Sequence, residues 1–243
     1  MQMPSADPKV LAQMLDVIID GITPLCISRH SSEDMPVNPQ QAITVLRQLR
    51  ETIQSEQHPG DGLSPTEVTE IGEYAVQLFS NTAQILQRLS DIGLQQQNSM
   101  LALGIALWVS ENSGHINRLE SLVDTLAWLA NRLTEPEELI ELSDILGKLI
   151  QAVGPAISND LDNTNPGRPW RILNINRGIV ATRTHKPEVM EEAFLALISN
   201  LPQDAPGFFA RGMSEMERVG YPEHVRVIMK KYYDDYNPPT PLH

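Results

Sequence analysis

The sequence predicts an all-α protein, an antiparallel helical bundle followed by two shorter helical hairpins. Three observations lead there. Apolar residues recur at steps of three and four in every periodic segment, and strand-like alternation is absent over any useful length. Helix starts carry cap and proline signals, as in Ser64-Pro65-Thr66-Glu67. Several breaks are short, such as Asn112-Ser113-Gly114, and short connections force neighbouring helices to run antiparallel.

Taken in order, Leu11, Leu15, Ile18 and Ile22 form the first seam, and Ala42, Leu46, Leu49 and Ile53 the second. The third, Val68, Ile71, Ala75, Leu78, Thr82, Ile85 and Leu89, is a heptad seam with one polar member. Leu94, Asn98, Leu101, Ile105 and Trp108 make the fourth, within which Met100–Val109 is apolar enough for a buried helix and too short for a membrane span. Ile116, Leu119, Val123, Leu126, Ala130 and Leu133 make the fifth. Thr134 then caps a sixth helix with Pro136 and Glu137 in its first turn, carrying Leu139, Leu142, Leu146, Leu149 and Val153. Placing Trp108 on Trp128 aligns Leu119 with Leu139, Leu122 with Leu142 and Leu126 with Leu146. This echo makes an α-solenoid of stacked helical hairpins the alternative architecture.

Residues 1–154 therefore read as an acidic six-helix bundle and 155–167, rich in turn formers, as a linker or long surface loop. Residues 168–236 hold four helices, about 168–184, 187–200, 205–219 and 222–236, opened by prolines at or near their starts. The last seven residues, 237–243, carry three prolines and read as an extended tail.

Charge is unevenly spread. Residues 1–167 hold 8 basic and 22 acidic side chains, net −14, and residues 168–243 hold 10 and 9, net +1. The acidic balance argues against a nucleic-acid binder, which needs a surplus of Lys and Arg. Met216–Glu223 resembles the end of a pentatricopeptide repeat, but no period of about 35 residues accompanies it. Cys26 is the one cysteine, so no intramolecular disulfide forms, and no apolar leader follows a basic start. A cytoplasmic protein with no membrane partner is expected.

Chemistry is sparse. No Glu-x-x-His pair supports a di-iron bundle. Asp160-x-Asp162 lacks the glycine and the terminal glutamate of a calcium loop. Gly212-x-Ser214 lies mid-helix, without the second glycine of a nucleophile elbow. Cys26 and His30 are better read as a buried thiol and an unrelated histidine than as a dyad. No metal, cofactor or catalytic constellation is expected.

One segment stands out. Arg168–Lys186 carries Arg168, Arg171, Arg177, Arg183 and Lys186 and no acid. At 100° per residue Ile172, Ile175 and Ile179 fall on one side, with Asn176 and Arg183 inside the apolar stripe and Arg171, Asn174 and Arg177 opposite. Two accounts follow. Arg183 bonds a neighbouring carboxylate or helix end while the outer arginines meet the acidic first half. Otherwise Arg177, Arg183, Asn174, Asn176 and His185 form an anion site, since guanidinium forks take carboxylate or phosphate bidentately. Tyr232, Tyr233 and Tyr236, ahead of the prolines, are candidates for an interaction tail. The functional expectation is a non-catalytic protein–protein interaction or scaffold protein with an acidic helical surface, whose partner is another protein, a basic one being the electrostatic complement, or a second copy. The alternative is a small anionic-ligand binder or enzyme using the arginine-rich helix.

Overall fold

The computed structural model describes residues 3–27, 37–55, 62–161 and 163–237, the side chains of 25–27 excepted. Every regular element among the described residues is a helix: α1 (Pro8–Ile27), α2 (Pro39–Ser55), α3 (Pro65–Leu89), α4 (Ile92–Glu111), α5 (Glu120–Arg132), α6 (Pro136–Ala152), α7 (Pro155–Ser158), α8 (Pro169–Arg183), α9 (Pro187–Asn200), α10 (Ala205–Val219) and α11 (Glu223–Tyr236). They divide into two compact units, Met1–Thr125 with Gln151–Ala156, and Leu126–Ile150 with Ile157–His243.

In the first unit α1 packs on α2, α2 on α3, α3 on α4 and α4 back on α1. That closed ring is a four-helix bundle, because helices of a solenoid stack onward without returning to the first. The seams supply its interior: Leu11, Leu15, Ile18, Ile22, Leu46 and Ile53 are all fully buried. At the start of α3 the Ser64 amide donates to Glu67 Oε2 (2.8 Å) and the Glu67 amide to Ser64 Oγ (3.3 Å), completing the capping box. Two residues join α3 to α4. Ser90 takes a left-handed conformation (φ 54°) and Asp91 Oδ1 accepts from the Leu94 amide, so α3 and α4 run antiparallel. Residues Leu101–Val109 of α4 are buried on every side, and no helix among the described residues is long and apolar enough to cross a membrane.

Ile116 departs from the predicted fifth seam. It lies outside α5 and pairs by its backbone with the end of α6: its amide donates to Ala152 O (2.8 Å), and the Gly154 amide donates to its carbonyl (2.9 Å). Asn112 and the left-handed Ser113 end the preceding helix, and an extended residue with both polar groups satisfied buries its side chain as well as a helical one would. Thr134 also differs from its predicted role, because its hydroxyl donates to the Glu135 carboxylate and α6 begins at Pro136. Residues 155–158 form the short helix α7 inside the stretch read as a loop.

In the second unit α8 pairs with α9 and α10 with α11, and α11 also touches α9. Their apolar centre is Met190, Phe194, Leu197, Phe208, Phe209, Met216, Val225, Met229 and Tyr232. Phe209 is its hub, with Phe194 and Phe208 edge-on at 5.3 Å and Tyr232 stacked at 5.4 Å. Tyr232, predicted as part of an interaction tail, is thus core. Tyr233 packs against the same cluster, and Tyr236 reaches Phe209 from the end of α11. The proline stretch 238–243 lies outside the described residues.

Phe209→Ala removes the common member of these ring contacts, and chemical denaturation is expected to register a loss of about 3–5 kcal/mol. Tyr236→Ala, at the rim, is expected to cost under about 1 kcal/mol in the same measurement.

Candidate functional site: the arginine helix and its groove

Helix α8 begins with positive charge where a helix macrodipole favours negative. Arg168 is 6% exposed, and every nitrogen of its fork is engaged. Nε and Nη2 bond Asp160 (2.5 and 2.8 Å), Nη2 also bonds Asp204 Oδ2 (2.6 Å), and Nη1 donates to Asn165 O (2.9 Å). Arg171 Nε donates to the other oxygen of Asp204 (2.6 Å). Asp204 stands at the N-cap of α10 and does not cap it, because both its oxygens serve α8. Burial alone pushes the Asp204 carboxyl up, but the hydrogen bonds from Arg171 and Arg168 hold it below its ordinary value.

The predicted faces of α8 are exchanged. Asn174 and Arg177, placed outside from the sequence, are buried at 1% and 5% exposure, whereas Ile179 is 45% exposed. Arg177 lies against Gly147 of α6, where an added Cβ would fall 2.8 Å from Nη2, and it pairs with Glu192 of α9. Asn174 donates to Trp170 O (2.9 Å) and accepts from Asn200 of α9 (2.9 Å). Neighbours on this side accept a guanidinium because a glycine makes room and a carboxylate answers the charge. The carboxylate partners of Arg171 and Arg177, Asp204 and Glu192, come from residues 168–243 and not from the acidic first half.

Arg183 donates to the carbonyls of Ala130 and Leu133, the latter at 2.6 Å, and so closes the C-terminus of α5. His185 follows in a left-handed conformation (φ 56°), exposed, with its ring edge-on to Tyr221 at 5.4 Å and its carbonyl bonded by His224 Nε2 at 3.0 Å. Burial, and then the nearby His224, lower the His185 pKa from its usual value. Asn176 Nδ2, Arg177 Nε and Trp170 Nε1 are buried without an acceptor among the described residues. The five predicted anion ligands are therefore not gathered round one cavity. Asn174 and Arg177 face α9, Arg183 serves a helix end, and His185 sits beyond the helix.

The isoleucine face opens instead onto a groove of about 430 Å³ walled by α8, α10 and α11. Ile175 and Ile179 form one wall, Phe208 and Met216 the other, and Met229 and Tyr221 line it from the last hairpin. Two glycines set its depth: a Cβ on Gly178 would meet Phe208 at 2.7 Å, and one on Gly212 would meet Met229 Sδ at 2.5 Å. Arg211 and Glu215 stand at the edge, Glu215 already paired with Arg218 (2.6 Å). Sequence reasoning missed this groove because its residues come from three helices. The signal available was the pair of methionines at 216 and 229, flexible side chains suited to adaptable contact. Among the described residues no three His, Cys, Asp or Glu side chains could hold a metal ion.

The shifted groups define two pH windows. A lowered His185 pKa means that the fold favours the neutral ring, so its contribution is full above the unfolded value near 6.5 and lost as pH falls through the lower folded value. The lowered Asp204 pKa gives a second contribution, full above 3.8 and lost further down. Denaturation from neutral to acid pH is expected to show both losses. His185→Asn should remove the first, asparagine tolerating the left-handed backbone. Asp204→Asn should weaken the second and cost about 3 kcal/mol at neutral pH. The chain matches no protein-family model, no curated protein and no solved structure.

Proposed function

We propose that the chain is a non-catalytic protein-binding module, with the groove between α8, α10 and α11 as its contact surface for a basic, amphipathic segment of another protein. The observation that carries this reading is the groove itself. It is walled by isoleucine, phenylalanine and methionine, with Ile179 accessible and charged groups confined to its edge. The net charge of −13 on the chain as a whole favours long-range encounter with a basic partner. Arg168, Arg171 and Arg183 support it from the other side, since each is engaged with the protein's own carboxylates or carbonyls.

The experiment is affinity capture followed by binding measurements with the identified partner. Ile179→Glu is expected to abolish binding and Val227→Glu, on exposed α11 surface away from the groove, to leave it intact. Affinity should fall several-fold from about 50 to 300 mM salt as screening shortens from roughly 14 to 6 Å. Equal binding by both variants, or no salt dependence, overturns the reading.

A second reading keeps a small anion on α8, favoured by the unpartnered donors Arg177 Nε, Asn176 Nδ2 and Trp170 Nε1. It predicts that inorganic phosphate or citrate raises the melting temperature of the protein and not of an Arg177→Met variant. No rise with either anion removes it.

A further inference from the structure

The groove walled by α8, α10 and α11 has a chemistry of its own, apart from any protein that packs on it. Its volume of about 430 Å³ lies inside the range of about 300–1,000 Å³ in which small ligands are held. The walls are aliphatic, aromatic and thioether: Ile175, Ile179, Phe208, Met216 and Met229. Few polar groups interrupt them. The Thr182 hydroxyl donates to Gly178 O (2.8 Å) and is spent within α8. Ile179 stays 45% exposed, so apolar surface is left open to water along one wall.

Charge is unbalanced at the mouth. Glu215 is paired with Arg218 (2.6 Å). Arg211, one turn earlier on α10, lines the groove and has neither a hydrogen bond nor an ion pair among the described residues. Its Nη1 lies back along the helix, 3.9 Å from where a Cβ on Gly207 would stand. Arg183 is held by two carbonyls and by no carboxylate among the described residues, so its charge is not cancelled. That charge reaches the groove: burial raises the Tyr221 pKa, and Arg183 acts against the rise. At physiological salt the screening length is about 8 Å, so these two guanidinium groups outweigh acids beyond that distance. An apolar trough with an unanswered cation at its edge matches a ligand with a hydrocarbon body and one anionic end.

We infer that the groove binds a free medium-chain carboxylic acid as its anion, with the hydrocarbon chain along Ile175, Ile179, Phe208 and Met216 and the carboxylate at Arg211. A chain of roughly eight to twelve carbons suits the space, since on the order of a dozen heavy atoms fill it at about the 30 Å³ that a water molecule occupies in the liquid. A cationic head meets Arg211 as a like charge, and a neutral head leaves it unanswered. The inference goes beyond the protein-binding reading and does not rest on it, although acid and segment use the same walls and exclude each other.

The test uses the full chain with octanoate, decanoate, decanol and decyltrimethylammonium as separate probes, each below its micelle-forming concentration and read by calorimetry and thermal shift. Decanoate should bind with a dissociation constant on the order of 10–100 µM, and at about ten times that concentration raise the melting temperature by roughly 3–5 °C. Octanoate, two methylenes shorter, should bind roughly tenfold more weakly. The alcohol and the ammonium should bind at least about fivefold more weakly than decanoate. Arg211→Gln should lower decanoate affinity to that of decanol and leave decanol unchanged, which a merely destabilised fold would not do. Ile179→Glu should abolish binding of decanol as well as decanoate, and Val227→Glu, on exposed surface away from the groove, should change neither. Absence of saturable decanoate binding, equal affinity for the three ten-carbon-chain probes, decanoate binding unaffected by Arg211→Gln or by Ile179→Glu, or binding to phosphatidylglycerol vesicles without binding to decanoate overturns the proposal. Failure here leaves the protein-binding reading intact, because that reading is judged by the captured partner's own response to Ile179→Glu.

Discussion

A guanidinium sealed from water needs its charge answered at close range, and the start of α8 depends on how that is done for Arg168. Its partners are Asp160 from the preceding stretch and Asp204 from the head of α10, with Arg171 sharing the second. Arg168 alone would set an unpaired charge in a low-dielectric interior. Asp204 alone would cap its own helix in the ordinary way. Together they tie the loop after α7, the start of α8 and the start of α10 into one cluster, and each helix gives up a conventional terminus to make it.

That tie also decides what α8 offers outward. With Asn174 and Arg177 turned toward α9 and α6, the isoleucines at 175 and 179 face the groove. A helix with polar groups buried and apolar groups exposed is costly on propensity and pattern alone. It is sustained because three of its polar side chains find partners on neighbouring helices: Asn200 for Asn174, Glu192 for Arg177, the end of α5 for Arg183. The unsatisfied pattern moves to the surface, where it becomes a place for another chain to pack.

Helix boundaries were legible in the sequence wherever a local signal sets them. Pro187, Gly220 and the Ser64–Glu67 box act within a turn of themselves, and α9, α10 and α3 begin or end where those residues require. The seams of α1 and α2 were legible for the same reason, one amphipathic face being enough to define burial. Faces set by distant partners were not. Nothing near Arg177 announces that Gly147 thirty residues earlier will vacate space for it, and nothing near Ile116 announces its backbone pairing with Val153. Met216 and Met229 were visible as flexible apolar side chains, but the groove they line requires three helices to be known at once. Charge division and packing division also measure different things: composition changes sign at residue 167, whereas the compact units part within α5 and α6.

The pairing of Ile116 with the end of α6 has a consequence for how this chain can be made and cut. Gln151–Ala156 belongs to the first compact unit, although Leu126–Ile150 belongs to the second. The amino-terminal unit is therefore discontinuous, and a nascent chain cannot complete it until a stretch of the other unit has already been synthesised. No single proteolytic nick releases both units whole. A cut after residue 125 strips the first of its returning segment, and a cut after residue 156 leaves the second without Leu126–Ile150. Topology, with no covalent cross-link, binds the fate of each half to the other.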